Sequence, residues 1–284
     1  MYTIDKIGRG GGEFFLLATS THTALIDSGF PCSAESLIGD IKDKLKGRAL
    51  NYIILTHSHY DHAGGSPYFR RAFPECSVIS GEYAAYVFTR PGAVKLIKEM
   101  SDSAATRFNI TEYEDLTGKI KVDRTVKEGD TIDMGDFTLR AVETPGHTKC
   151  SLSYYSPEEK LLIAAETIGV LAGDIITPCC LVSYDATIES IKKTASLGAE
   201  AILFSHGELL KGKNECDAFF ENSLKTHEET KAMLKKEKAE GKTQDELVSI
   251  LKKHFYTEET KKIQPEKAFY LNAGYIINCM TKEN

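Results

Sequence analysis

The sequence lacks three features, each of which would point to a particular class of protein. No window approaches the roughly 20 consecutive apolar residues of a membrane-spanning helix, because charged residues interrupt every hydrophobic run. No block of Lys and Arg stands out, and 35 basic residues face 41 acidic ones, for a net charge of -6. The N-terminus, MYTIDKIGRGGGEFFLLATS, carries charges and glycines where a signal peptide needs an apolar stretch. We therefore expect a cytoplasmic protein that binds neither membranes nor nucleic acid.

Cysteine is present, but without an arrangement typical of a disulfide framework. The seven cysteines form an odd number and contain no CxxC pair, which suits a reducing compartment. Cys179 and Cys180 are adjacent, and two interpretations stay open for them. They are either two small residues after a proline turn, or thiols that line a pocket or capture soft metals.

Short β-rich runs extend from the N-terminus to about Leu210, each ending in a cluster of Gly, His, Asp or Pro. The predicted strands are FFLLATS, HTALIDSG, NYIILTH, CSVIS, FTLRAVETPG, SLSYYS, KLLIAAET and AILFSHG. Helical periodicity alternates with these runs in CSAESLIGDIKDKLKG and in DATIESIKKTASLG, where Gly198 is placed to end the helix. The pattern predicts an α/β protein.

Two further stretches have helical patterns and organise the chain. Residues 81–116 are largely helical, interrupted at Pro91, and are predicted to be an insertion between strands. After Gly212 the composition shifts to Lys, Glu, Ala and Leu, and Thr243 and Glu246 have the spacing of a helix-capping box. We therefore predict a first domain over residues 1–210 and a C-terminal helical appendage over residues 211–284.

Three of the eight histidines lie within six positions in THSHYDHAGG, directly after the apolar run NYIIL. His57 and His59 are two apart on an extended segment, so both imidazoles can point the same way. Asp61 and His62 follow, where the chain turns toward a helix. A solvated polar loop is the alternative interpretation. Imidazoles and a carboxylate at HxHxDH spacing instead favour a site for zinc, iron or manganese.

Two more histidines occupy equivalent surroundings at later strand ends. His147 follows the predicted strand FTLRAV within ETPGHT, and His206 follows AILF within FSHGE. Either histidine alone would be weak evidence. Together with the first cluster they bring five histidines to three strand ends, which a metal site would gather and a packed core would not need.

The order HxHxDH, then PGHT, then a strand-end histidine resembles the metallo-β-lactamase superfamily. The resemblance implies an αββα sandwich, two mixed β-sheets packed face to face with helices outside. It also implies two divalent metal ions, with zinc favoured over iron or manganese. The implied ligands are His57, His59 and His147 for the first ion, and Asp61, His62 and His206 for the second. Asp27, in ALIDSG, matches the family's structural aspartate and would order the histidine loop.

The chain departs from this family pattern at one position. The family usually has a bridging aspartate in a motif like FTGD, whereas this chain reads LLIAAETIG, with Glu166 in that place. The longer Glu166 side chain could bridge both metals, bind one metal only, or turn away. Asp174, in LAGD, is the alternative candidate.

The resemblance implies a metal-dependent hydrolase that acts on a small-molecule ester, thioester or lactone. Asp61 would orient the attacking water and accept its proton, and Tyr184, in VSYD, is the predicted phenol near the metals. His59 argues against the flavo-diiron branch, which usually has Glu there. Two alternatives stay open, a phosphodiesterase, and a regulatory or partner-binding protein that keeps the metal site and acts through its helical tail. A homodimer formed through the same helices is also open.

Overall fold

The computed structural model of the protein describes residues 2–282, which form two mixed six-stranded β-sheets, a two-stranded ribbon and flanking helices. The chain divides into two units. One contains the residues up to Val142 together with Tyr154–Glu159, and the other contains Glu143–Ser153 together with the residues from Lys160 onward. The mixed sheets and their flanking helices confirm the predicted fold class.

The first unit is built on the first sheet. Its strands are β1 Thr3–Ile7, β2 Phe14–Ala18, β3 Thr23–Ile26, β4 Tyr52–Ile54, β5 Ser77–Gly81 and β6 Arg124–Val126. They lie side by side in this order, antiparallel from β1 to β3 and parallel from β3 to β6. The helices are α1 Pro31–Leu45, α2 Tyr60–Ala63, α3 Ser66–Ala72, α4 Glu82–Phe88 and α5 Pro91–Arg107, with a 3-10 turn at Thr117–Lys119.

Continuous apolar runs explain the internal position of this sheet. Phe14–Leu17 of β2 and all of β3 are buried, whereas a strand with one wet face would alternate buried and exposed residues. Both faces of these strands are therefore covered. Helix α1 buries Ala34, Ile41 and Leu45 along one side, and it packs on β1, α3 and α5.

The second sheet and a ribbon follow in the chain. Their strands are β7 Thr131–Asp133, β8 Thr138–Glu143, β9 Leu152–Ser156, β10 Leu161–Ala164, β11 Val170–Ala172, β12 Ile175–Thr177, β13 Ala201–Phe204 and β14 Leu209–Lys211. The sheet order is β14-β13-β10-β9-β8-β7, and β11 and β12 form the ribbon. β10 and β13 are parallel neighbours, so their carboxyl ends, which carry polar residues, lie at the same sheet edge.

The remaining helices belong to the second unit. They are α6 Tyr184–Ala195, α7 Lys213–Ala239, α8 Gln244–Phe255, α9 Glu258–Ile263 and α10 Glu266–Thr281, with a 3-10 turn at Glu166–Ile168. Thr243 and Glu246 form the predicted capping box at the start of α8. None of the helices in the described part of the chain is both long and apolar enough to cross a membrane.

The C-terminal helices bury their apolar faces in one cluster, which we call the tail cluster. Its buried members are Cys180, Leu234, Leu247, Val248, Leu251, Phe255, Phe269, Ala273, Ile276, Ile277 and Met280. Helix α7 also packs on α6, β12 and β14 of the same unit. The domain boundary at residue 210 stays a prediction.

The predicted strands and helices are present, and most of the strands are shorter than predicted. Seven of the eight predicted strands contain an observed one, whereas β5 begins within CSVIS and extends one residue beyond it, to Gly81. The predicted insertion contains α4 and α5, and Pro91 begins α5 instead of ending a helix, because the first helical position needs no backbone N–H.

Candidate metal centre

The motif THSHYDHAGG runs from the end of β4 through the short helix α2. His57 and His62 are fully buried, and His59 directly precedes α2. The ring centroid of His57 lies 4.6 Å from that of His59 and 4.1 Å from that of His62. Asp61 Oδ2 lies 3.7 Å from His62 Nε2. The structure therefore gathers these four predicted ligands at one place in the first unit.

Two glycines allow this loop to lie directly against the strand-end loop after β3. A Cβ on Gly65 would lie 2.0 Å from the carbonyl oxygen of Ser28, and one on Gly64 would lie 2.5 Å from Cδ of Pro31, where this neighbouring loop enters α1. The close approach lets the Ser28 backbone N–H and hydroxyl both donate to the His62 carbonyl, each at 2.7 Å. Glycine is thus required at positions 64 and 65, because a Cβ at either position would clash with a neighbouring atom.

Asp27 holds the histidine loop through a buried hydrogen-bond network. Its carboxylate accepts from the Thr56 backbone N–H at 2.7 Å, from the Thr56 hydroxyl at 2.9 Å and from His62 Nδ1 at 2.8 Å. Thr56 Oγ1 also lies 3.0 Å from His57 Nδ1. Because the single hydroxyl proton of Thr56 goes to Asp27, the hydroxyl oxygen accepts from His57 Nδ1–H. His57 and His62 therefore carry their protons on Nδ1 and present the Nε2 lone pair.

In the second unit, His147 lies in the loop between β8 and β9. Its Nδ1 donates to the backbone carbonyl of Cys179 at 3.0 Å, which directs Nε2 toward the carboxylate of Glu166. Gly146 precedes it with a φ of +139°, and a Cβ there would lie 2.2 Å from Thr187 Oγ1. Glycine at this position lets the loop rest on the first turn of α6.

Glu166 begins the 3-10 turn after β10 and faces two predicted ligands. Its Oε2 lies 2.8 Å from His147 Nε2, and its Oε1 lies 3.4 Å from His206 Nε2. Burial acts to raise the pKa of Glu166, but the His147 and His206 imidazoles outweigh it and hold the pKa well below its usual range. Asp174, the alternative candidate, is exposed in the turn between β11 and β12. Glu166 is therefore the carboxylate that meets the histidines of the second unit.

Tyr184 is the first residue of α6 and packs against the tail cluster. The Lys231 ammonium lies 3.6 Å from the centre of its ring. Burial raises the pKa of the phenol. A role for Tyr184 beside the metals stays a prediction.

Sequence reasoning missed two groups that fix the ligands. Thr56 directly precedes His57, and its place between a strand and a candidate ligand could have indicated that its hydroxyl contacts the histidine. The Cys179 carbonyl could not be identified from the sequence, because every residue type has the same backbone acceptor. Burial raises the pKa of the Cys179 thiol well above its usual range, which favours the uncharged form. The structure thus gives Cys179 a role through its backbone.

The donor set fits divalent metal ions. Nε2 lone pairs on imidazoles whose Nδ1 is tied to an acceptor, together with an ionised carboxylate, are the ligands that zinc and its neighbours prefer. Within the first unit the ligand atoms of His57 and His59 lie within 4.8 Å of one another, and so do those of Asp61 and His62. These side chains therefore form a candidate site for divalent metal ions.

The chain belongs to the metallo-beta-lactamase superfamily, because the superfamily's model matches residues 7–206. Metallo-beta-lactamase fold-containing protein ST1585 of Sulfurisphaera tokodaii is 25% identical over 195 residues, covering 67% of this chain and 70% of that protein. Hydroxyacylglutathione hydrolase of Bartonella henselae is 30% identical over 199 residues, covering 68% and 60%. Probable hydroxyacylglutathione hydrolase glo2 of Schizosaccharomyces pombe is 28% identical over 167 residues, 57% of this chain and only 50% of that protein's length.

Solved structures of the superfamily share the fold. Metallo-beta-lactamase family protein TTHA1429 from Thermus thermophilus matches with a TM-score of 0.65 at 19% identity, covering 96% of this chain and 91% of that one. Protein ST1585 from Sulfolobus tokodaii matches with a TM-score of 0.62 at 20% identity, covering 80% and 86%. The αββα architecture expected from the motifs is thereby confirmed.

Proposed function

We propose that the chain hydrolyses a small-molecule thioester, or a related ester or lactone, and that it uses two divalent metal ions to do so. Zinc is the first candidate for these ions. The proposed ligands are His57, His59 and His147 for one ion and Asp61, His62 and His206 for the other, and Glu166 would serve both. This division follows the family pattern, with Glu166 in the place of the bridging aspartate.

The observation that carries the proposal is the position of the Glu166 carboxylate. One of its oxygens contacts His147, a ligand proposed for the first ion, and the other contacts His206, a ligand proposed for the second. A carboxylate with one oxygen toward each histidine can bridge two ions. The extra methylene relative to aspartate is accommodated because Glu166 begins a turn directly after β10.

In this proposal, residues of the protein orient the attacking water and accept its proton. When bound, divalent ions lower the pKa of water and polarise the substrate's carbonyl group. Asp61, whose carboxylate adjoins His62, orients the attacking water and accepts its proton. Asp27 and the Cys179 carbonyl keep the ligand imidazoles in one tautomer and one orientation, so that no reorganisation is needed during the reaction.

The names of the relatives support thioesters as the first substrate class. Several curated relatives are hydroxyacylglutathione hydrolases, and a hydroxyacyl group on glutathione is joined through sulfur. The net charge of -6 disfavours phosphodiester polymers, which require basic side chains. The tail cluster buries apolar side chains of α7, α8 and α10 within the chain itself, which favours an enzyme over a protein that acts by docking its tail.

The test is hydrolysis of a matched panel of acyl thioesters, lactones, β-lactams and phosphodiesters by the zinc-loaded protein. We expect thioesters to give the highest kcat/KM, and His59→Ala to lower it roughly a hundredfold or more. His254→Ala, which changes an exposed histidine on α8, is the control and should leave turnover unchanged. Fastest turnover of phosphodiesters, or equal turnover by His59→Ala and wild type, would overturn the proposal.

The predicted role of Tyr184 has its own test. Tyr184→Phe should lower ester or thioester turnover more than it weakens zinc binding, because it removes a hydroxyl and keeps the ring. Tyr256→Phe is the matched control, since Tyr256 also packs against the tail cluster. Identical kinetics in the two variants would dismiss a catalytic phenol.

A further inference from the structure

A cleft in the first unit is lined by residues to which the proposed function gives no role. It lies between residues 6–9, one side of α1, and Phe108 and Ile110, which follow α5. Its volume is about 520 Å³. Sites for small molecules typically have volumes of about 300 to 1,000 Å³. The cleft is therefore large enough to hold a small organic molecule.

Four apolar side chains line the cleft. Ile7 at the end of β1 is buried, whereas Leu37 on α1, Phe108 and Ile110 are only partly buried. A Cβ on Gly10 would lie 2.8 Å from Cζ of Phe108, so glycine lets the turn after β1 rest directly on this ring. An apolar group that covered these side chains would remove more of their surface from water, which stabilises a complex.

The turn after β1 places the charged side chain of Arg9 at the same cleft. Gly8 and Gly10, on either side of Arg9, have φ values of +76° and +67°. The Gly10 carbonyl accepts from Arg107 Nη1 at 2.7 Å, and the Arg9 carbonyl accepts from the Gly12 backbone N–H at 3.3 Å. Within residues 2–282 the Arg9 guanidinium forms no hydrogen bond or ion pair. It can therefore bind a carboxylate through two parallel N–H bonds.

The charges around the cleft leave a single positive charge in excess. Lys6, Arg9 and Lys44 line it together with Asp40. Lys44 Nζ lies 3.0 Å from Asp5 Oδ1, so a second carboxylate adjoins the cleft. Three cations thus stand against two carboxylates, in a chain whose net charge is -6. This balance suits a ligand with one negative charge.

We propose that the cleft binds a small monocarboxylate with an apolar tail, as a site separate from the metal centre. The carboxylate pairs with Arg9, and the tail covers Leu37, Phe108 and Ile110. The tail is essential, because an ion pair with an exposed arginine contributes little by itself. The proposal rests on the cleft alone and does not depend on the proposed hydrolysis.

The experiment titrates the full chain with octanoate by isothermal calorimetry. Acetate, which keeps the charge without the tail, and octylammonium, which keeps the tail with the opposite charge, are the matched probes. We expect octanoate to bind roughly tenfold or more tightly than either. Methyl NMR locates the site, since octanoate should shift the methyl signals of Ile7, Leu37 and Ile110. The methyl signals of Ile202, buried in β13, should not move.

Variants separate this cleft from the metal centre, where a carboxylate could bind an ion. Arg9→Gln should weaken octanoate binding roughly tenfold, whereas Arg90→Gln, which changes another exposed arginine of the first unit, should not. His59→Ala should leave octanoate binding in the cleft intact. Equal affinity for octanoate and octylammonium, wild-type affinity in Arg9→Gln, or loss of octanoate binding in His59→Ala would each overturn the proposal. So would octanoate binding that leaves the methyl signals of Ile7, Leu37 and Ile110 unchanged.

Discussion

Replacing Asp27 by Asn tests whether the buried carboxylate fixes the protons of the ligand imidazoles. One carboxylate oxygen accepts from the Thr56 backbone N–H at 2.7 Å, and the other accepts from His62 Nδ1 at 2.8 Å. An amide has only one oxygen, so either orientation of the substituted side chain turns its NH₂ toward a donor. The conflict is relieved when His62 moves its proton to Nε2, the atom proposed to bind metal.

The size of the effect follows from two independent estimates. Loss of a hydrogen-bonding partner behind a metal-bound histidine typically weakens metal binding about 10- to 100-fold. That range corresponds to about 1.4 to 2.8 kcal/mol, since each tenfold change in affinity is about 1.4 kcal/mol. A hydrogen bond to a charged group contributes about 1.5 to 3 kcal/mol, in agreement. We therefore expect Asp27→Asn to weaken zinc binding by about 10- to 100-fold and to destabilise the metal-free fold.

The assay is competition for zinc with a chromophoric chelator, together with urea unfolding of the metal-free protein. Asp43→Asn, on the exposed side of α1, is the matched control. Thr56→Val should act in the same direction, because it removes the hydroxyl that accepts from His57, and Thr56→Ser should restore binding. Zinc affinity within twofold of wild type in Asp27→Asn would refute the reasoning.

Three further changes probe the second unit. Burial lowers the pKa of His227 to about 4, so its contribution to stability is complete above pH 6.5 and is lost as the pH falls toward 4. His227→Leu should remove up to about 3 kcal/mol of this pH dependence in urea unfolding of metal-free protein. Thr243→Ala should cost about 1 kcal/mol in thermal unfolding, because it breaks the capping box with Glu246. Gly146→Ala should weaken zinc binding and lower the Tm, since a Cβ would lie 2.2 Å from Thr187 Oγ1.

Each of these changes has a control of the same type. His254→Leu and Ser249→Ala alter exposed side chains on α8, and Gly92→Ala adds a Cβ with no atom within 4 Å. An equal loss of pH dependence in His254→Leu would show that His227 is not responsible. Thermal unfolding of Thr243→Ala that matches Ser249→Ala would contradict the cap, and a Gly146→Ala protein that behaves like Gly92→Ala would contradict the packing argument.

The sequence was most informative where apolar runs end in polar residues. The runs NYIIL, LLIA and AILF predicted buried strands, and the side chains just beyond them are the candidate ligands. Strands with few apolar residues escaped prediction, as did β1 with TIDKI and β6 with RTV. Their pairing is decided by neighbouring strands, because an edge strand needs backbone partners more than it needs hydrophobic side chains.

The orientation of the ligands could not be predicted from residue types. Asp27 was identified by its resemblance to a family aspartate, but its three hydrogen bonds depend on Thr56 and on a φ of +61° at Asp27 itself. Glu166 was left with three alternatives, and only the turn after β10 shows which way its carboxylate points. Backbone geometry of this kind is set by tertiary packing.

The central claim is that these imidazoles bind divalent metal through Nε2. Crystals grown with zinc, measured at wavelengths on either side of the zinc absorption edge, would test it most directly. We predict anomalous peaks about 2.0 to 2.1 Å from Nε2 of His57, His62 and His147. Peaks bound through Nδ1 of these residues, or well-ordered imidazoles without a zinc peak beside them, would contradict the account.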